Sequence, residues 1–173
     1  REDIPSRSSS VCVGFVPLSQ ASSAPSGSDS IQRSSHDTSR RPNTSAGRRA
    51  AYSPTFDVLI KDTYSGGIIA PGVRLSLNTL SDKATLIPKI DLKKVKNVIG
   101  NDTISAVRSG FFWGYAGLID NIINLIKKET RKSFKVIITG GFSNLFKNSI
   151  KTKVNHNKDI TIEGLIKISK LIK

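Results

Sequence analysis

The phrase FKVIITGG, Phe134 to Gly141, holds the residue types best placed to do chemistry. It reads as a buried strand running into two glycines, and FSNLFKNSI begins a helix after it. Strand, Gly-Gly, helix is a common way to hold a nucleotide, because turn amides can approach the ligand where no Cβ stands in the way. Few other residues could react. Cys12 is the only cysteine, which excludes an internal disulfide and a cysteine-based metal site within one chain and fits a reducing, cytoplasmic setting. His36 and His156 lie far apart without a partner motif and are expected to be structural or incidental.

The elements that must position these residues begin near Thr55. Residues 1–54 are rich in Ser and Arg, contain no Lys, and lack apolar periodicity, so they are expected to be disordered. Residues 55–173 have the Ile, Leu, Val and Phe content of one compact domain. A Ser- and Arg-rich, acid-poor start can be a transit segment, and the absence of Met from the chain points to a fragment.

The formal charge of +14 raises nucleic-acid binding. The lysines, however, are spread over several elements, and no zinc-finger, helix-turn-helix or RNA-recognition pattern accompanies them. A solvated basic surface that draws in anionic metabolites is the better reading, with no nucleic-acid partner. The apolar run SGFFWGYAGLIDNIINLI is flanked by Arg108 and broken by Asp120, so a core helix is expected there and no membrane span.

PTFDVLIKD and YSGGIIAPG predict a hairpin turning at Lys61, Asp62 and Thr63. Pro71 and Gly72 then open a helix to about Thr85 with Val73, Leu75, Leu77 and Leu80 on its apolar face. A long helix follows, capped by Asn101 or Asp102. Its expected face is Ile104, Val107, Phe111, Tyr115, Leu118, Ile119, Ile122 and Ile126, and it ends in Lys127, Lys128, Arg131 and Lys132. Gly110, Gly114 and Gly117 each cost that helix up to about 1 kcal/mol relative to Ala, a cost usually offset by close approach of a partner helix or a second subunit. DITIEGLIKISKLIK predicts a terminal amphipathic helix with Ile162, Leu165, Ile166, Ile168 and Leu171 near one face. The order strand, strand, helix, long helix, strand, helix, helix indicates an α/β domain.

Four phrases in fixed order, GGIIAPG (Gly66 to Gly72), IGNDTISAVRSGFFWGYAGLID (Ile99 to Asp120), ITGGFSNLF (Ile138 to Phe146) and DITIEGL (Asp159 to Leu165), resemble the C-terminal domain of the type III pantothenate kinases. The resemblance implies a ribonuclease-H-like domain of the acetate and sugar kinase, actin and chaperone superfamily, two such domains per subunit, and homodimers. It also implies ATP-dependent phosphorylation of pantothenate, the first step of coenzyme A synthesis. ATP with Mg2+ would lie in the cleft, beside a monovalent cation, K+ or NH4+. By the same resemblance Thr103 contacts pantothenate, although a Thr in a first helical turn can also serve as a cap. Thr139, Gly140 and Gly141 pass close to the adenosine. Gly66, Gly67 and Gly72 shape the loop beside the phosphate cleft, where a purely structural turn would look the same. Two alternatives stand beside this reading: a non-catalytic homologue of the transcriptional accessory-factor type, and another kinase of the same superfamily.

The family's Asp-Phe-Gly-Thr-Ala-Thr, whose Asp binds the monovalent cation and whose first Thr contacts ATP, should precede Thr55. Arg49, Ala50, Ala51, Tyr52, Ser53 and Pro54 stand there instead. An Arg in place of a cation-binding carboxylate reverses the local charge, and phosphoryl transfer depends on charge neutralisation, so the chain alone is expected to be inactive. A shifted reading frame would explain the loss: codons CGT CGA GCT GCG TAC AGC CCx for Arg48 to Pro54, read one base later, give Val-Glu-Leu-Arg-Thr-Ala. Asp29, in GSDS, is a weak candidate for the family's general base in Gly-x-Asp-Arg, and the Arg is absent. The family's N-terminal phosphate loop, Asp-x-Gly-Asn-Thr, has no counterpart in residues 1–26.

Overall fold

The structure, a computed structural model, describes residues 9–17 and 52–172. Its centre is a five-stranded mixed sheet in the order β3-β2-β1-β4-β5. The strands are β1 (Ser10–Pro17), β2 (Tyr52–Ile60), β3 (Thr63–Ile69), β4 (Lys135–Gly140) and β5 (Val154–His156). The helices are α1 (Val73–Lys83), α2 (Thr103–Thr130), the single turn α3 (Ser143–Phe146) and α4 (Ile160–Leu171). β1 pairs antiparallel with β2 and parallel with β4, β2 antiparallel with β3, and β4 parallel with β5.

The expectation of disorder for residues 1–54 fails at Ser10–Pro17, which forms the middle strand of the sheet, and at Tyr52–Pro54, which begin β2. Val11, Val13 and Phe15 alternate along β1 and are buried, the period-two pattern of a strand with one face in a core. A composition averaged over the Ser- and Arg-rich stretch hid these few residues. The rest of that stretch, including Asp29, His36 and Arg49, lies outside the described residues. β5 is a second strand absent from the sequence reading; three residues are too few to show a period.

The hairpin between β2 and β3 is a two-residue turn, with Ile60 paired to Thr63. Lys61 and Asp62 both have positive φ, 52° and 64°, the combination that lets a tight turn follow the twist of its strands. The register then slips, because Leu59 pairs with Tyr64 but Val58 with Gly66. This β-bulge is accommodated by Gly66 at φ 121°. At Gly67 a Cβ would stand 2.7 Å from the Phe56 carbonyl oxygen of the facing strand, so the neighbouring backbone leaves no room for a side chain.

α2 lies across one face of the sheet. Asp102 caps it: its carboxylate accepts from the Ser105 amide at 2.9 Å, and the Ser105 hydroxyl accepts from the Asp102 amide at 3.2 Å. The buried seam is Ser109, Phe112, Ala116, Ile119, Ile123 and Ile126. Only Ile119 and Ile126 belong to the face expected from sequence. Apolar residues surround most of this helix, so periodicity alone cannot say which of them meet the sheet. The seam packs on Val11, Val13, Phe15, Phe56, Val58, Val136 and Ile138. On the other sheet face Cys12 pairs with Asp57 and both are half-buried. Burial and then the Asp57 charge push the Cys12 thiol up to about 11, and burial raises the Asp57 carboxyl above its ordinary value.

α1 buries Val73 and Leu77 but leaves Leu75 exposed. α4 forms as expected, yet none of its residues is buried, and Ile162, Leu165, Ile166, Ile168 and Leu171 face outward. Among the described residues no helix is long and apolar enough to cross a membrane.

Candidate functional site

One row of backbone runs across the sheet at the C-terminal end of β4. Gly140 pairs with Phe15, Phe15 pairs with Pro54, and the Pro54 carbonyl accepts from the Ala70 amide at 2.9 Å. Gly72, the N-cap residue of α1, follows two residues after Ala70. The structure therefore brings Gly72 and the Thr139–Gly141 turn to the same edge. Gly66 and Gly67 are elsewhere: they pair with Val58 and Asp57 inside the strand, so they do not shape a loop with Gly72.

Tyr115 ties α2 to this edge by donating to the Pro71 carbonyl at 3.1 Å, with its oxygen 3.2 Å from the Ser76 hydroxyl. Thr103, at the start of the same helix, lies 12 residues before Tyr115, roughly 18 Å along the axis. It is exposed and is not the cap, since Asp102 has that role. Hydrogen bonds from Ser105 lower the Asp102 carboxyl below its ordinary value. A cavity of about 330 Å³ opens beside this helix start, lined by Lys96, Asn97, Asn101 and Ser105 among others.

The glycine turn is braced from below. Ser143, buried, donates its hydroxyl to the Gly140 carbonyl at 2.6 Å and lies 2.9 Å from His156 Nε2. With its proton committed to Gly140, the Ser143 oxygen accepts from His156, which assigns the imidazole the Nε2-protonated tautomer. Burial, with help from Lys147 and Lys158, lowers the His156 pKa and favours that neutral form. The expectation of a structural role for His156 agrees with this contact. Under the turn Phe15 stacks on Phe146 at 5.7 Å and meets Phe142 edge-on at 6.1 Å. The Arg74 guanidinium sits 5.7 Å above the Phe142 ring, beside a cavity of about 40 Å³.

Gly140 has φ 87°, and a Cβ there would lie 2.6 Å from the Phe15 carbonyl oxygen. Its missing side chain makes room for β1 of the same chain, so a ligand is not needed to explain it. Sequence reasoning missed the Ser143, Arg74 and Phe142 contacts because each partner is remote in sequence or belongs to another element.

These features define a class: an α/β domain with a strand, Gly-Gly, helix turn braced at one edge of a mixed sheet. Residues 53–125 match the family model described as type III pantothenate kinase. The chain is 76% identical over 119 residues to the type III pantothenate kinase of Pelagibacter ubique, covering 69% of this chain and 48% of that protein. It is 42% identical over 118 residues to that of Maricaulis maris, with 68% and 46% covered, and 44% identical over 115 residues to that of a Ruegeria species, with 66% and 44% covered. Over this stretch the chain is similar to the type III pantothenate kinases, the family that the four phrases resemble. It spans about half the length of the curated relatives it matches. A Baf family protein of known structure from Campylobacter jejuni overlays with TM-score 0.45 and 22% identity, covering 68% of this chain and 53% of that one, too loosely to carry an argument.

Proposed function

We propose that β1 together with the chain from β2 onward is the C-terminal, ribonuclease-H-like half of a type III pantothenate kinase. The whole protein would transfer the terminal phosphoryl group of ATP to pantothenate, the first step of coenzyme A synthesis. The observation that carries this is the 76% identity to the Pelagibacter ubique kinase. The antiparallel β1, β2 and β3 joined through β1 to the parallel β4 and β5 support the fold assignment.

Within this reading Thr139, Gly140 and Gly141 flank the adenosine, and Gly72, at the same sheet edge, lies towards the phosphates. Gly66 and Gly67 serve the bulge and the close strand pairing. Thr103 offers its exposed hydroxyl to pantothenate. ATP would arrive with Mg2+, and the family's monovalent cation would help to neutralise the phosphates. Among the described residues no group of three or more His, Cys, Asp or Glu could hold a metal ion. The position of the family's cation-binding Asp is Arg49, and the candidate base Asp29 also lies outside the described residues. The chain by itself, in the cytoplasm, does not turn over.

The α2 glycines support the homodimer. Gly110, Gly114 and Gly117 are exposed, and among the described residues a Cβ on any of them would meet nothing within 4 Å beyond its own helix backbone. A second copy can approach the helix there.

The test is a chimaera in which residues 55–173 replace the matching 119-residue stretch of the Pelagibacter ubique enzyme, with the rest of that enzyme retained, assayed with pantothenate and ATP. Turnover is expected, with Thr103→Val lowering kcat/KM by about tenfold or more, the scale of one lost buried hydrogen bond. A folded but inactive chimaera would sink the assignment. The 173-residue chain alone should show no turnover. Resequencing DNA and transcript from the codon for Gly27 to that for Asp57 decides the origin of Arg49: a lost or gained base whose correction restores Asp-Phe-Gly-Thr-Ala-Thr supports a shifted frame, and a confirmed frame refutes it.

A further inference from the structure

Lys127 in the last turn of α2, Lys135 at the start of β4 and Lys153 just before β5 line one cavity of about 420 Å³. Phe134, Thr152 and Asn155 complete most of its wall, and no carboxylate is among its lining residues. The volume falls in the range of about 300–1,000 Å³ usual for small-molecule clefts. Among the described residues none of the three ammonium groups makes an ion pair. Three like charges facing one concavity repel each other, and an anion between them relieves that repulsion.

The lysines come from three elements, and their placement is held. Asp120 on α2 accepts from the backbone amides of Lys151 at 2.7 Å and Thr152 at 2.9 Å. This ties the segment leading to Lys153 onto the helix that also carries Lys127. Both Asp120 oxygens are engaged by amides, so the nearby carboxylate already has partners. The Thr152 hydroxyl and the Asn155 amide add neutral donors to the ammonium groups.

We propose that this cavity is an anion site for a small molecule bearing a di- or triphosphate. It lies at the N-terminal end of β4, five residues and roughly 16 Å along the strand from Gly140. It is therefore separate from the Gly140–Gly141 edge, and it stands whether or not the kinase assignment does.

The test is titration of the ¹⁵N-labelled chain with sodium tripolyphosphate at fixed ionic strength, followed by amide shifts. Saturable shifts centred on Lys135, Thr152 and Lys153 are expected. The variant Lys127→Gln/Lys135→Gln/Lys153→Gln should bind about tenfold or more weakly, the scale of one lost charge-assisted contact. The variant Lys89→Gln/Lys93→Gln/Lys94→Gln removes the same charge from exposed positions outside the cavity and should bind as the parent does. Equal weakening in both variants would reduce the effect to net charge and overturn the site. Shifts centred on Gly140 and Gly141, or no saturation, would overturn it too. If the first variant loses its dispersed spectrum, Lys153→Gln alone, at an exposed position, serves the same comparison.

Discussion

Gly140 and Gly114 each stand within two residues of large apolar side chains in the sequence, and the structure gives them opposite surroundings. At Gly140 the place of a Cβ is occupied by the Phe15 backbone, and the residue holds a φ that side chains rarely adopt. At Gly114, as at Gly110 and Gly117, the same place is open. A glycine in a sequence records only that a Cβ is absent. The tertiary structure separates one that accommodates a strand of its own chain from one beside which the space is left open.

The largest effect expected from this contrast is at the crowded end. Gly140→Ala combines a backbone clash with an unfavourable φ and should cost about 3 kcal/mol or more. The check is urea denaturation or, if the variant is insoluble, soluble yield. A near-neutral result would mean that β1 does not lie against the turn.

Ser143→Ala comes next. It leaves the Gly140 carbonyl and the His156 N–H unpaired in a part-buried place and should cost about 1–3 kcal/mol. The His156 resonances should also move, because the imidazole loses its acceptor. Unchanged resonances would break the proposed brace.

Gly114→Ala should act with the opposite sign. In the isolated chain it should stabilise α2 by up to about 1 kcal/mol, since Ala is the better helix former and nothing nearby obstructs its methyl. If a second copy packs on this face, the same change should weaken association. Thermal melts at low concentration and sedimentation at high concentration separate the two effects. A stabilised variant with unaltered association would remove the glycine face from the dimer.

The smallest effect concerns Asp57, whose carboxylate oxygen would lie 3.3 Å from a Cβ at Gly67, on the crowded side of the comparison. Burial raises its folded pKa above the ordinary 3.8, so the folded state holds the proton after the unfolded chain has released it. Stability from this group therefore falls as pH rises through the window above 3.8 and stays lower at neutral pH. Asp57→Asn should melt slightly higher than the parent at pH 7, with the difference vanishing below the acidic end of that window. A difference that persists in acid would assign the effect to packing instead of charge.

Much of the domain was legible in order and type. The hairpin announced itself by alternation around Lys61 and Asp62, α2 by its length and cap, and β4 by an apolar run ending in Gly140. These are local signals, set by a few neighbouring residues. The likeness to the type III pantothenate kinases was legible in the same way, through short contiguous phrases, and the comparisons name the same family. The place of Gly66 and Gly67 was misjudged because a bulge depends on the register of two strands, which neither strand encodes alone.

By itself the sequence determined the helices, the hairpin, the glycine turn and the kinship, because each is written in contiguous residues whose periodicity, caps and turn chemistry act over one or two turns of chain. Only the tertiary structure decided that Ser10–Pro17 is the central strand, that α2 buries the Phe112 and Ile123 side of an almost wholly apolar surface, and that Ser143 and His156 meet under Gly140. Those outcomes rest on contacts between distant segments, where burial and pairing select one partner among several that the local pattern allows equally.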